Sequence, residues 1–244
     1  EGAILAGIGN MAESWQPMSR PWRQHGSEVF MQSLIAADTP AAAPPEPPPP
    51  VQSSFPLLQN VFPNSEPSIA ASGNNLMLVY VRDNGAESET HFTEIAFSHF
   101  DGTSWSIPQA VAPDSRGQFQ PQVAYDGGGN AVVVFERIKS AAFSGTEIPD
   151  MAAQMELVWC RWDAGTQTWS AALPLTDNAY LDFKPQLAGP LTNGDVLLTW
   201  TLNEANEVEG MGAVGDLTNS RVMTARWKRA EQAWTNPEIL VPNL

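Results

Sequence analysis

Cysteine is nearly absent from this 244-residue chain, and Cys160 alone can form neither an intramolecular disulfide nor a multi-thiolate metal site, which excludes a disulfide-stapled scaffold. Lysine is scarce too: three Lys and nine Arg face 27 acidic residues, and the formal net charge is −15. Phosphate backbones and anionic lipid repel such a chain, so nucleic acid is not an expected partner. No stretch approaches the roughly 18 to 20 unbroken apolar residues of a membrane helix. The apolar run 3–8 is broken by Gly7, and no membrane insertion is expected. The three histidines, His25, His91 and His99, have neither H-x-H nor H-E-x-x-H spacing, which leaves zinc unsupported. The remaining composition, 43% hydrophobic with 16% charged, is ordinary for a packed core.

Proline is concentrated in one place. Residues 40–50 hold seven Pro, three Ala and one Glu, a run that lacks most backbone donors and extends as polyproline II. We read 40–54 as a linker. Residues 1–39 before it are irregular, carry Trp15 and Trp22 without a clear period, and read as the tail of a preceding domain; 28–37 fits either a short helix or a strand. The start at Glu1 reads as processed or excised. One thiol and few lysines on an acidic, polar chain fit an extracellular, periplasmic or cell-surface location.

After the linker the chain repeats itself. The segments Glu66-Pro67-Ser68-Ile69-Ala70, Gln120-Pro121-Gln122-Val123-Ala124 and Lys184-Pro185-Gln186-Leu187-Ala188 recur at intervals of 54 and 64 residues. Each leads through a turn rich in Gly and Asn to an apolar run: 76–81, 131–135 and 196–200. A variable polar stretch and a third run follow (94–100, 156–162, 221–227), then a tight turn and a tryptophan: Trp105, Trp169 and Trp234. β-Branched and aromatic residues fill the runs, and Gly, Asn, Asp and Ser separate them, so each unit predicts four short strands, with proline at the head of the first. Repeated four-stranded units predict an all-β chain over 55–244, a β-propeller segment of about three blades. A ring commonly needs about four to eight blades. Three cannot close, so the outer units are expected to leave apolar faces for further blades of the same parent protein or of another chain.

The third turn carries a resemblance to a known family. Ser98-His99-Phe100-Asp101-Gly102-Thr103-Ser104-Trp105 resembles the Asp-box of sialidase-like propellers, a Ser-x-Asp-x-Gly-x-Thr-Trp hairpin between the third and fourth strands, with Gly102 directly after Asp101 and Ser104 in the Thr place. The second unit keeps Asp163, Gly165 and Trp169; the third has Lys228 and Ala230 at the Asp and Gly places and keeps only Trp234. The resemblance implies structural roles: the aspartate caps its turn through backbone amides, and the tryptophan packs between blades. It also implies, for an active sialidase, three arginines on a substrate carboxylate, a Tyr–Glu nucleophile, an acid/base Asp and an Arg-Ile-Pro segment. Here Glu136-Arg137-Ile138 runs into Lys139, and none of those catalytic roles carries over.

Other motifs add little. Gly210-Met211-Gly212-Ala213-Val214-Gly215 matches G-x-G-x-x-G but follows a polar, acidic run instead of a buried strand, and reads as a loop. Cys160, between Trp159 and Trp162 in a predicted strand, reads as a small buried hydrophobe. No cofactor is called for; calcium, on oxygen ligands of an acidic loop, is the one metal entertained. The long, dissimilar segments 83–93, 112–120, 139–154, 176–184 and 203–220 all fall at one end of the meanders, where binding residues concentrate on a rigid scaffold. Arg82, Arg137, Phe119, Tyr180 and Asp182 are the ligand-binding candidates there. The expected function is a non-catalytic binding module of a larger exported protein, recognising a glycan or a protein partner. The alternatives are a fragment of a sialidase-like glycoside hydrolase and a purely structural piece of a surface assembly.

Overall fold

The computed structural model describes residues 58, 61, 65–85, 91–144, 148–206 and 220–240; the N-terminal segment, the proline-rich linker and the 210–215 glycine motif lie outside them. Three antiparallel meanders follow one another. The first is β1 (Ser68–Ser72), β2 (Asn75–Asp83), β3 (Thr93–Phe100) and β4 (Gln109–Ala110), paired in that order. The second is β5 (Gln118–Tyr125), β6 (Ala131–Ile138), β7 (Met155–Asp163) and β8 (Thr168–Trp169), with β9 (Leu173–Pro174) also on β7. The third is β10 (Leu181–Ala188), β11 (Val196–Asn203), β12 (Ser220–Lys228) and β13 (Ala233–Trp234), with β14 (Glu238–Ile239) also on β12. The segment 139–154, expected to be an irregular loop, contains a short helix, α1 (Ile148–Gln154).

The first strand of each meander is its inner edge. Strand β5 packs against β1, β2 and β3, and β10 packs against β5, β6 and β7, so successive sheets stack face to face around a common side. Burial follows from this. Every residue of β6 is buried because both faces of the middle sheet are covered, whereas β11 alternates from Val196 to Leu202, its even-numbered side chains on the covered face. Met77, Val79, Ile95 and Phe97 pack against Val133, Phe135, Val158 and Trp162 between the first two sheets; Val134, Leu157, Leu198, Trp200 and Ala225 fill the second junction. Each such aliphatic side chain contributes about 1.5 to 3 kcal/mol on burial.

Three details correct the expected strand pattern. Pro121 and Pro185 stand inside β5 and β10, not at their heads: the ladder is interrupted between Phe119 and Gln122 and between Phe183 and Gln186, and Gln120 (φ 50°) and Lys184 (φ 55°) turn left-handed there. A bulge lifts the proline out of the ladder, so no interior donor is missed. The fourth strand is in two pieces in the second and third sheets. Between the pieces, and in the first sheet between an isolated Phe100–Trp105 bridge and β4, a hydroxyl takes the place of a backbone acceptor: His99, Arg161 and Arg226 donate their N–H groups to Ser106 Oγ, Ser170 Oγ and Thr235 Oγ1, each at 3.0 Å. The residue after each repeated tryptophan is therefore a hydroxyl residue that splits the strand.

The two outer faces differ from each other, and on the first Ile69 stands exposed beside Leu78. Leu78, Tyr80 and Ala96 on the first sheet are buried, with Leu58 and Trp105 packed on them. The outer face of the third sheet carries Thr199, Thr201 and Thr224 with Leu197, Arg226 and a half-exposed Val222, so it is mixed instead of apolar.

Candidate functional site

The repeated turn residues act within the scaffold. Asp101 Oδ1 accepts the N–H groups of Thr103 and Ser104 at 2.8 and 2.9 Å, and Gly102 supplies the positive φ (94°) of that turn. Asp163 Oδ1 likewise accepts from Gly165 and Thr166 at 3.0 and 2.9 Å. These backbone bonds hold both carboxyls below their ordinary pKa. Trp169 packs edge-on to Phe97 and against Trp162 at ring distances of 5.6 and 5.4 Å; Trp234 lies 5.8 Å from Trp227, and Trp105 lies 5.4 Å from Phe100. Cys160 is buried, and desolvation pushes its thiol up to about 12.

At the long-loop end the five candidates part company. Arg137 is only 4% exposed: its Nε and Nη2 donate to Glu156 Oε1 at 3.0 and 2.8 Å, and Nη1 reaches Asp114 Oδ2 at 3.2 Å, an oxygen shared with Arg116. Arg82, more open, donates to Glu94 Oε1 at 2.7 Å. Phe119 turns inward onto Ile138, Ala152, Met155 and Leu181. Asp182 is buried, with Oδ1 on the Trp200 indole N–H at 2.7 Å and Oδ2 on the Asn178 amide at 2.8 Å. Burial pushes its carboxyl up, while those bonds, one from Thr176 and the charge of Lys139 pull it back. Tyr180 alone of the five is exposed, at 41%.

Tyr180 is exposed on a braced loop. Its N–H donates to Asn178 Oδ1 at 2.8 Å, and Asn178 is tied through Asp182 to the Trp200 indole in the third sheet. Lys139, from the preceding sheet, donates from Nζ to the Asn178 carbonyl and, at 3.3 Å, to that of Ala153. Asn206 Nδ2 bonds the Ala179 carbonyl at 3.0 Å. Lys139, Asp182 and Asn206, from three separate segments, thus hold residues 178 and 179 directly before the exposed ring.

Beneath this face lies a carboxyl that sequence inspection overlooked. Glu136, buried on β6, accepts the Lys184 N–H at 2.8 Å through Oε1, bridging the second sheet to the bulge of the third. Desolvation raises its pKa to about 7; Lys184 opposes the shift, and Glu66 and Asp182 add to it. The signal that pointed to it was a charge directly after the apolar run 131–135, at a register position covered on both faces. Asn178 and Lys139 gave no signal, because their partners lie in other sheets. Among the described residues, no group of three metal-capable side chains comes together, and no helix is long and apolar enough to cross a membrane.

No protein-family model matches the chain, and no curated protein matches it in sequence. Its backbone is similar to that of solved enzymes. A Hadza microbial sialidase superposes with a TM-score of 0.50 at 14% identity, over 69% of this chain and 36% of that one. The chain folds as a segment of a sialidase-like β-propeller. Trypanosoma rangeli sialidase, in complex with sialic acid, matches at a TM-score of 0.44 and 12% identity over 69% of this chain and 29% of that one. An ulvan lyase matches at 0.48 and 13% identity, over 76% of this chain and 46% of its own. The propeller segment thus spans about a third of the length of the sialidases it resembles.

Proposed function

We propose that this propeller segment is a non-catalytic glycan-binding module of a larger exported protein, contacting its ligand through the long-loop face with Tyr180 at the centre. The bracing of Tyr180 carries the reading. The ring is exposed on a backbone held by the Tyr180 N–H bond to Asn178 and the Asn206 bond to the Ala179 carbonyl, and it offers a stacking platform for which the backbone part of the ordering cost is met before a ligand arrives. The acidic and basic groups suited to catalysis are instead committed internally: Arg137 to two carboxylates, Asp182 to Trp200 and Asn178, Glu136 to the Lys184 backbone. A sialidase among the structural neighbours is in keeping with a carbohydrate partner. The remaining blades of the ring come, on this reading, from the same parent protein or another chain.

One observation favours the hydrolase alternative: a carboxyl near pH 7 is matched to general acid/base work. A glycan array probed with the full chain, run beside a hydrolysis assay on the same glycans, separates the two. Saturable binding without product, weakened about tenfold or more by Tyr180→Ala through loss of a stacking contact, is the expected result. Product release would establish the hydrolase. Binding indifferent to Tyr180→Ala would place the ligand elsewhere, and a silent array would favour a protein partner.

A further inference from the structure

At the end of the sheets opposite the long loops, the first turns of the second and third blades touch. Gly127 donates its N–H to the Gly194 carbonyl at 3.0 Å, and a Cβ on Gly127 would stand 2.6 Å from Gly194 Cα, so the junction requires glycine. Beside it opens a cleft of about 700 Å³, a volume in the range of small-molecule sites. Its lining residues are polar or charged apart from Gly128 and Ala230, with the aliphatic stems of the long side chains supplying apolar surface between the polar heads.

Most charges in the cleft are already engaged. Asp126 Oδ1 accepts the N–H groups of Gly128 and Asn130 at 2.8 and 3.2 Å. Asp195 accepts the Arg229 N–H at 3.0 Å and the Asn193 amide at 2.7 Å, and Lys228 pairs with Glu231 at 3.1 Å. Among the described residues, none accepts a hydrogen bond from the Arg229 guanidinium or lies within ion-pair distance of it. That side chain lies along a floor of glycine: a Cβ on Gly128 would come within 2.9 Å of its Nε, and one on Gly194 within 3.0 Å of its Cδ. Arg229 is exposed, and an arginine that rests against backbone with its fork free of acceptors presents paired donors to an anion. The nearby Asp126 and Asp195 carboxylates oppose a dianion more strongly than a monoanion. The carboxamides of Asn130 and Gln232, in the same cleft, suit hydroxyl groups.

We propose that this cleft is a second binding site, separate from the Tyr180 face, for a small hydroxylated carboxylate whose carboxyl group is gripped by Arg229. Isothermal titration calorimetry of the full chain with D-gluconate, D-glucose and inorganic phosphate tests it. The expected result is saturable gluconate binding, tighter than that of phosphate, with none for glucose. Loss of a charge-assisted fork is expected to weaken binding about tenfold or more in Arg229→Gln. Gly128→Ala keeps the charge but pushes the guanidinium off its floor, and is expected to weaken binding while leaving the melting temperature near that of the parent. Tyr180→Ala is expected to leave gluconate binding unchanged, which makes this site's outcome independent of the long-loop reading. Absence of saturable gluconate binding, binding unaffected by Arg229→Gln, or tighter binding of phosphate would overturn the proposal.

Discussion

Glu136→Gln is expected to change the pH dependence of stability in a direction that the burial of this carboxyl dictates. The folded-state pKa is raised from an ordinary 4.5 to about 7, first by desolvation, against the opposing bond from the Lys184 N–H. A raised carboxyl pKa means that the unfolded chain releases the proton first as pH climbs. The stability tied to protonated Glu136 is therefore fully present below pH 4.5 and is lost as pH rises through about 7. At about 1.4 kcal/mol per pKa unit, the loss across that window is roughly 3 kcal/mol. Glutamine keeps an acceptor oxygen for the Lys184 N–H and has no proton to lose. The assay is urea unfolding of parent and variant at matched steps between about pH 4.5 and about 8. The variant's midpoint is expected to rise relative to the parent's by an amount that grows steadily across the window. Parallel curves would mean that Glu136 is not held protonated, and the argument from its burial would fail.

The ligand-like arginines should separate in the same unfolding experiment. Arg137→Ala leaves Glu156 buried without its partner and is expected to cost about 3 to 5 kcal/mol, whereas Arg82→Ala removes a half-open arginine from the buried Glu94 and is expected to cost less, about 1 to 3 kcal/mol. Equal losses would contradict the contrast in burial. Trp169→Ala removes a ring packed on Phe97 and Trp162 and is expected to cost about 3 to 5 kcal/mol; an unchanged unfolding midpoint would show that the repeated tryptophan is not structural.

The all-β architecture was legible because its signals are local. Turns such as 126–130 and 192–195 carry their Gly and Asn in the chain itself, and the apolar runs 76–81, 131–135 and 196–200 announce strands through composition alone. The spacing of Trp105, Trp169 and Trp234 then exposed the blade repeat. Tertiary structure decided whatever depends on which sheet covers which face. Arg137 and Tyr180 look equally ligand-like in a loop-end sequence, yet one is closed off by carboxylates from 114 and 156 and the other is exposed on backbone braced by Asn178 and Asn206, contacts that no spacing predicts. Pro121 and Pro185 read as strand starts until the bulges beside them are seen, because a bulge is defined by the partner strand. The raised pKa of Glu136 and the unpaired fork of Arg229 have the same origin. Burial between blades raises the first, against the Lys184 N–H, and in the second Gly127 and Gly128 of the preceding blade come against a side chain that also lies on Gly194 of its own; only the packing of blade on blade brings these groups together.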